Sequence, residues 1–234
     1  MLFTACTSND TENVSTITYF PIFTILGPNP YFVPVGTPYT DPGAIAKAGQ
    51  TVIPHTSSGA GKYRGATTVD TSKSDEYSVT YSATNSDGFE GTGSRKVIVW
   101  KNGDLVTSIE GLYTCTISRN GAIPSAAYRN IKYMYIWKNT DGTYQISDAC
   151  GGWYEYGRGL GVGYITPGGK INAVDIPTNS FTFPGTLTNS GFGGVQKITD
   201  LTVNAATKTV VLTSSWLVSG TSYIFVATMT QVQP

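Results

Sequence analysis

The densest run of chemistry-bearing side chains lies between residues 148 and 158, Asp148-Ala149-Cys150-Gly151-Gly152-Trp153-Tyr154-Glu155-Tyr156-Gly157-Arg158. Trp and Tyr offer flat faces on which the C–H side of a sugar can stack. A neighbouring Arg offers a planar fork of donors for hydroxyls or for an acidic sugar's carboxylate. Glycines at 151, 152, 157 and 159 leave room for a ligand to approach the backbone. Trp153, Tyr154, Tyr156 and Arg158 are therefore the candidate glycan-binding residues. Read as a strand, 152–156 places Trp153 and Glu155 on one face and Tyr154 and Tyr156 on the other, so only one pair can be presented together.

Catalytic readings have less behind them. Glycoside hydrolysis needs two carboxylates roughly 5–9.5 Å apart. Only Asp148 and Glu155 fall together in this stretch, and neither neighbour set suggests a raised pKa. Other acids sit in turns (Asp41-Pro42, Gly103-Asp104, Asp87-Gly88, Asp141-Gly142), where turn chemistry accounts for them. His55 is the one histidine of the chain, so base-assisted nucleophilic catalysis has a single candidate in a Gly/Ser-rich neighbourhood. The run Gly157-Arg158-Gly159-Leu160-Gly161 lacks the Lys-Ser/Thr and the strand–loop–helix setting of a phosphate loop. No CxxC occurs, which with one histidine argues against a metal site. The reading is a binding protein, not an enzyme, with no cofactor and no metal.

Composition sets the class. In 234 residues, 40% are hydrophobic and only 13% charged, about half the usual ~25%. Fifteen basic residues balance fifteen acidic ones, which disfavours nucleic acid as a partner. No stretch reaches the ~18 apolar residues of a membrane span. Near the start, Leu2-Phe3-Thr4-Ala5-Cys6 matches the end of a lipobox, and 7–13 reads as a polar tether; Cys6 is the expected lipidation site. The basic region and most of the apolar region that precede a lipobox are not in the sequence, so the expectation is either a start codon placed late or a sequence that begins inside the signal peptide. Cys115 and Cys150 then remain as an even pair in an oxidising compartment that permits a disulfide. Cys115, mid-strand, also reads as a small buried apolar residue.

The elements that must position these residues are strands. Tyr77, Val79, Tyr81 and Ala83 alternate with Ser78, Thr80, Ser82 and Thr84, and a return strand ends at 96–99, giving a half-buried antiparallel pair. Segments 17–25 and 31–35 read as edge strands, the first because of Pro21. Thr56 to Gly61 (TSSGAG) reads as a flexible loop. Beyond a turn at Asn102-Gly103-Asp104, strands are expected at 111–118, 128–138, 143–147, 152–156, 161–166, 170–174, 180–183, 197–204, 209–218 and 222–231. Short turns at 139–142, 167–169, 205–207 and 219–221 make this a meander. Tyr133, Tyr135 and Trp137 share one face of a strand. Trp216 aligns with Val210 and Leu212, and Tyr223 with Phe225, Ala227 and Met229. A competing reading assigns all these stripes, Trp153 and Tyr154 included, to barrel core.

The turn Tyr39-Thr40-Asp41-Pro42-Gly43-Ala44 and the strand Tyr77-x-Val79-x-Tyr81-x-Ala83-x-Asn85 resemble the immunoglobulin-like modules of bacterial surface proteins. Glu110-Gly111-Leu112-Tyr113, Tyr144-Gln145-Ile146-Ser147-Asp148 and the Gly151–Gly159 run resemble the C-terminal barrel, a domain family of unknown function, of Bacteroidota surface lipoproteins from glycan-utilisation loci. The resemblance implies an all-β chain: tether at 1–13, immunoglobulin-like sandwich at 14–101, and antiparallel, calycin-like β-barrel at 103–234. It also implies a lipid-anchored accessory protein exposed at the outer membrane, held there by its lipid alone. Glycan, or subunits of an outer-membrane transporter, are the implied partners. The alternative is a structural or protein-interaction module of an outer-membrane complex without glycan binding.

Overall fold

The computed structural model describes residues 17–234, so the expected lipidation site Cys6 and the tether at 7–13 lie outside the described residues. The first half holds β1 (Pro21–Ile25), β2 (Tyr31–Pro34), β3 (Ala44–Ala48), β4 (Thr51–Ile53), β5 (Thr56–Gly61), β6 (Asp75–Thr84) and β7 (Glu90–Trp100). They form two sheets, β1-β3-β4 and β2-β7-β6-β5, with β2 parallel to β7 and the other pairs antiparallel. The alternation in β6 does what its period requires: Tyr77, Val79, Tyr81 and Ala83 are buried, while Ser78, Ser82 and Thr84 face solvent. Val33, Val97 and Val99 join Tyr77, Val79 and Tyr81 in the core, with Phe23 and Ile25 of the facing sheet packed on them. Gly93 permits that approach, since a Cβ there would sit 2.6 Å from Phe23 Cβ. This is an immunoglobulin-like sandwich.

Arg95 ties the sandwich together. It is fully buried, ion-paired to Asp41 at 3.1 Å, and donates to the carbonyls of Leu26, Pro28 and Gly43. Tyr81 Oη donates to the same carboxylate at 2.7 Å. Burial opposes the charge on Asp41, but the bonds from Tyr81, Gly43, Tyr39 and Arg95 outweigh it and hold its pKa below the usual carboxylate range. The Asp41-Pro42-Gly43 turn is thus anchored to β7 by charge as well as by turn geometry. One expectation fails here. The TSSGAG segment is a six-residue strand, β5, paired along its length with β6. Its small residues suit a covered edge: a Cβ on Gly59 would meet Thr68 Cα at 3.0 Å.

The second half holds β8 (Gly111–Arg119), β9 (Ile131–Lys138), β10 (Tyr144–Ile146), β11 (Gly168–Asp175), β12 (Ser180–Thr182), β13 (Leu187–Asn189), β14 (Gly193–Asn204), β15 (Thr209–Val218) and β16 (Thr221–Gln231). They make one antiparallel sheet in the order β12-β11-β10-β9-β8-β16-β15-β14-β13. The edge strands β12 and β13 are consecutive in the chain, joined by residues 183–186. Such a link spans at most roughly 18 Å, so the sheet must curl until its edges approach. The result is a half-barrel, not a closed ring. Its core gathers Cys115, Ile117, Met134, Ile136, Leu212 and Phe225.

Expected strands at 152–156 and 161–166 are instead a π-helical turn (Trp153–Gly157) and a 3₁₀ turn (Val162–Tyr164); β13 was not foreseen. The stripe Tyr133, Tyr135 and Trp137 is buried, but not in the barrel. While Met134 and Ile136 point into the half-barrel core, the three aromatics pack with Ile98 and Leu112 and against Phe32, Tyr63 and Trp100. The two halves therefore share an apolar layer, and β7 is buried on both faces, with Val97, Ile98 and Val99 all inaccessible.

Candidate functional site

The candidate segment lies in the connection between β10 and β11, and Asp148 organises it. Its Oδ1 accepts from the N–H groups of Cys150 (2.9 Å) and Thr166 (2.8 Å), and its Oδ2 from Gly152 (2.9 Å). One carboxylate thereby closes both ends of the loop. Burial dominates its titration against those three bonds and pushes the pKa up to about 6, which corrects the expectation of an ordinary acid. Gly151 and Gly152 follow with φ of 60° and 80°, a region closed to most residues at low cost. A Cβ on Gly151 would also lie 2.8 Å from Ile117 Cδ1 and 2.9 Å from Ala227 Cβ. The positive φ values end any extended run. A single π turn follows, closed by Gly157 N–H to Gly152 O (3.1 Å) and Arg158 N–H to Trp153 O (3.0 Å).

The turn sends its side chains in three directions, not two. Trp153 points down into the half-barrel, 1% exposed, with ring centroids 4.2 Å from Tyr128 and 5.9 Å from Phe225. No face of Trp153 is open to a ligand, so its placement matches the core reading. Glu155 and Tyr156 point toward the first domain. Lys62 Nζ lies 2.6 Å from Glu155 Oε1, 3.3 Å from Glu76 Oε1 and 2.6 Å from Tyr156 Oη. Tyr63 Oη donates to Glu155 (3.1 Å to Oε2), and Lys96 completes the cluster at 3.0 Å from Glu76. Burial opposes the charge on Lys62, but Tyr156, Glu76 and Glu155 more than offset it, and its pKa lies above the ordinary lysine value. Burial, with Tyr156 and Glu155 adding to it, raises Tyr63. This group latches the two domains, and it occupies Tyr156.

Tyr154 and Arg158 point the third way, into a cup of about 330 Å³ at one end of the half-barrel. Tyr154 and Trp216 form its floor; Phe192, Tyr223, Arg119 and Arg158 form its wall and rim. The rings interlock, with centroids of Tyr154 5.0 Å from Phe192 and 5.6 Å from Trp216, and Trp216 5.7 Å from Tyr223. Phe192 remains 45% exposed. Arg119, at the end of β8, has its guanidinium over the rings of Trp153 (4.8 Å) and Tyr223 (4.9 Å) and donates to Tyr154 Oη at 3.4 Å. Among the described residues, no carboxylate pairs with Arg119 or Arg158.

Of the four sequence candidates, the structure brings Tyr154 and Arg158 together and assigns Trp153 to the core and Tyr156 to the latch. Arg119 and Phe192 were missed; Trp216 and Tyr223 were visible only as stripes. The one legible signal was a cation, Arg119, ending an apolar strand. Cys115 and Cys150 do not form the permitted disulfide. Both are buried free thiols, each pushed up in pKa by burial, and Cys150 Sγ lies 3.3 Å from Gln196 Oε1. His55 packs edge-on against Phe23 and Tyr81, at 6.0 and 5.8 Å. Among the described residues no group of three or more His, Cys, Asp or Glu is placed to hold a metal ion. No helix among them is long and apolar enough to cross a membrane.

Comparison with known proteins adds to this picture. A family model for a "bacterial surface protein, Ig-like domain" matches residues 23–99, and one described as a "-like, C-terminal domain" matches residues 102–231. No curated protein matches the chain. The crystal structure of the lipoprotein BT2262 from Bacteroides thetaiotaomicron is similar over 89% of this chain and 99% of that one, with a TM-score of 0.60 and 24% identity; at that identity the likeness speaks for the fold. Because the second family model spans more than half of the sequence, the chain belongs to the family that this C-terminal domain defines, carried behind a bacterial surface Ig-like domain.

Proposed function

We propose that this chain is a lipid-anchored accessory protein of the outer membrane, exposed at the cell surface, that captures glycan in the cup of its half-barrel for a polysaccharide-utilisation system. The observation that carries the reading is the cup itself: four aromatic rings joined through Trp216, beside two arginines that pair with no carboxylate among the described residues. Aromatic faces supply stacking area and the guanidinium forks supply oriented donors, the ordinary content of a small-ligand site. The lipobox-like Ala5-Cys6 and the similarity to a solved Bacteroides lipoprotein support the anchor. The Ig-like domain then serves as a spacer, and the latch fixes the cup's orientation on it. Binding without catalysis is favoured because Asp148 is engaged by backbone donors and Glu155 by Lys62 and Tyr63.

Two experiments test this. The full gene product should incorporate labelled palmitate and partition into detergent, and Cys6→Ser should abolish both; unchanged partitioning contradicts the anchor. The full chain should bind members of a glycan array, and Phe192→Ala should remove that binding.

A second reading rests on a different surface. Tyr19, Phe20, Ile22 and Phe89 are exposed on the first domain among the described residues, and Phe20 and Phe89 stack edge-on at 5.0 Å. An apolar cluster of this kind suits a protein partner, such as an outer-membrane transporter subunit. Palmitate labelling with no glycan bound on any array would favour that reading.

A further inference from the structure

We infer that the cup selects an acidic sugar residue, its carboxylate or sulfate held between Arg119 and Arg158 and its ring placed against Phe192 and Tyr223. The inference rests on the glycan reading above and narrows it to a chemical class. It comes from how this chain treats its other cations. Arg95 is ion-paired to Asp41, Lys62 to Glu155 and Glu76, Lys96 to Glu76 and Lys101 to Glu110. Arg95 and Lys62 are the most deeply drawn in of these, and each meets a carboxylate there. The cup brings two guanidinia to one small cavity and, among the described residues, supplies no carboxylate.

Arg119 is not loose. Its guanidinium lies over the rings of Trp153 and Tyr223, and one N–H is given to Tyr154, which restrains it and leaves the rest of its five side-chain donors for a ligand. Pre-orientation lowers the entropy lost on forming a charge-assisted, two-pronged bond to a planar anion. Arg158 stands exposed on the rim, placed to close on the same anion. The surrounding rings lower the local dielectric, which strengthens a charge pair and leaves the cations without compensation when the cup is empty. At about 330 Å³ the cavity is at the small end of ligand sites, about 300–1,000 Å³. It fits one sugar unit with its charged substituent rather than a length of chain. The zero net formal charge of the whole chain makes this a local preference and not general attraction to polyanions.

The test uses the full chain in a calorimetric titration panel. Acidic members are oligogalacturonate, glucuronate-containing, sialylated and sulfated oligosaccharides; their partners are the methyl-esterified or desulfated counterparts. The expected result is binding of at least one acidic member, at least about tenfold tighter than its neutralised counterpart and weakening as salt is raised. The carboxylate and sulfate arms decide which anion fits. Arg158→Gln should lose about tenfold with an unchanged melting temperature, and Arg158→Lys should recover only part, because an ammonium lacks the fork. Lys197→Gln, an exposed cation away from the cup, should change nothing. Equal binding of acidic and neutral members, unaffected by Arg158→Gln, would overturn the acidic preference while leaving glycan capture standing. Equal losses in Arg158→Gln and Lys197→Gln would mean diffuse attraction and overturn it too. No binding by any member would remove both the inference and the glycan reading.

Discussion

The latch and the cup are built from the two sides of one π turn, and they treat charge in opposite ways. On the latch side, Lys62 sits among Glu155, Glu76 and two tyrosine hydroxyls, so every charge drawn out of water has an opposite charge or a donor beside it. On the cup side, Arg119 and Arg158 share a cavity with four rings and, among the described residues, no acid. A buried pair missing one member is destabilising by several kcal/mol. An evolved interior therefore completes its pairs, as the latch does. On the proposed reading, a half-open cavity that leaves two cations uncompensated is arranged for a charge that arrives from outside. The contrast also explains why Tyr154 and Tyr156, two residues apart, have different fates: the π turn rotates one over the half-barrel mouth and the other onto the first domain.

Removing Trp153 should have the largest effect on this arrangement, because its ring underlies the turn and stacks on Arg119. Trp153→Ala should cost about 3–5 kcal/mol of stability in denaturant unfolding, and any loss of ligand should follow from lost structure. A stable Trp153→Ala variant that had lost only binding would return that ring to the site. Next comes the latch. Lys62→Met leaves Glu155 and Glu76 facing one another and should cost about 3 kcal/mol, the low end for a broken buried pair because Lys62 is partly exposed. Calorimetry should then resolve two unfolding transitions where the parent shows one, while the cup keeps its ligand. Loss of binding with the latch would merge the two regions into one unit.

Acid titration probes the turn's anchor. The folded-state pKa of Asp148 is raised to about 6, above the ordinary value, so the stability tied to its protonation is present at low pH and lost as pH rises through 6. Burial raises Asp75 as well, against backbone bonds from Arg64, Tyr63 and Glu76, and acts in the same direction. Unfolding free energy should therefore increase by up to about 3 kcal/mol as pH falls from 7 toward 4. Asp41, whose pKa is lowered, reverses the trend only below its ordinary value near 3.8. Asp148→Asn should flatten the slope, and an unchanged slope would contradict the assignment. The smallest expected effect is that of a reductant. With Cys115 and Cys150 both free, it should leave the melting temperature where it was, whereas a drop of several degrees would mean a disulfide.

Much of the fold was legible where local pattern and tertiary role agree. The alternation of Tyr77, Val79 and Tyr81 in β6 needs only a period of two and one buried face, and the same rule separated Tyr133, Tyr135 and Trp137 from Met134 and Ile136. The rule could not say what each face meets, and the aromatic side of β9 meets the other domain rather than the barrel interior. TSSGAG has the composition of a loop, but pairing with β6 overrides that weak preference. Residues 152–156 read as a strand but form a π turn, because the segment's shape comes from Asp148 bonding to Thr166 far along the chain, and from glycines with positive φ. Tyr154 and Arg158 were legible as candidates, and they line the cup, because they fall in one short, unusual run. Arg119 and Phe192 were not, since the cup gathers positions 119, 154, 158, 192, 216 and 223 from separate elements, and no local spacing records that meeting.

The central claim is that Arg119 and Arg158, gathered in the cup, mark the ligand site, while Arg95, paired with Asp41, holds the fold. Side-chain Nε–Hε resonances of the arginines, followed by NMR during titration with the acidic oligosaccharide that binds most tightly, test it most directly. Arg119 and Arg158 should shift progressively and saturate together, while Arg95, bonded to Asp41 and three carbonyls, should not move. Saturable binding that leaves Arg119 and Arg158 unshifted, or that perturbs Arg95 instead, would contradict the account.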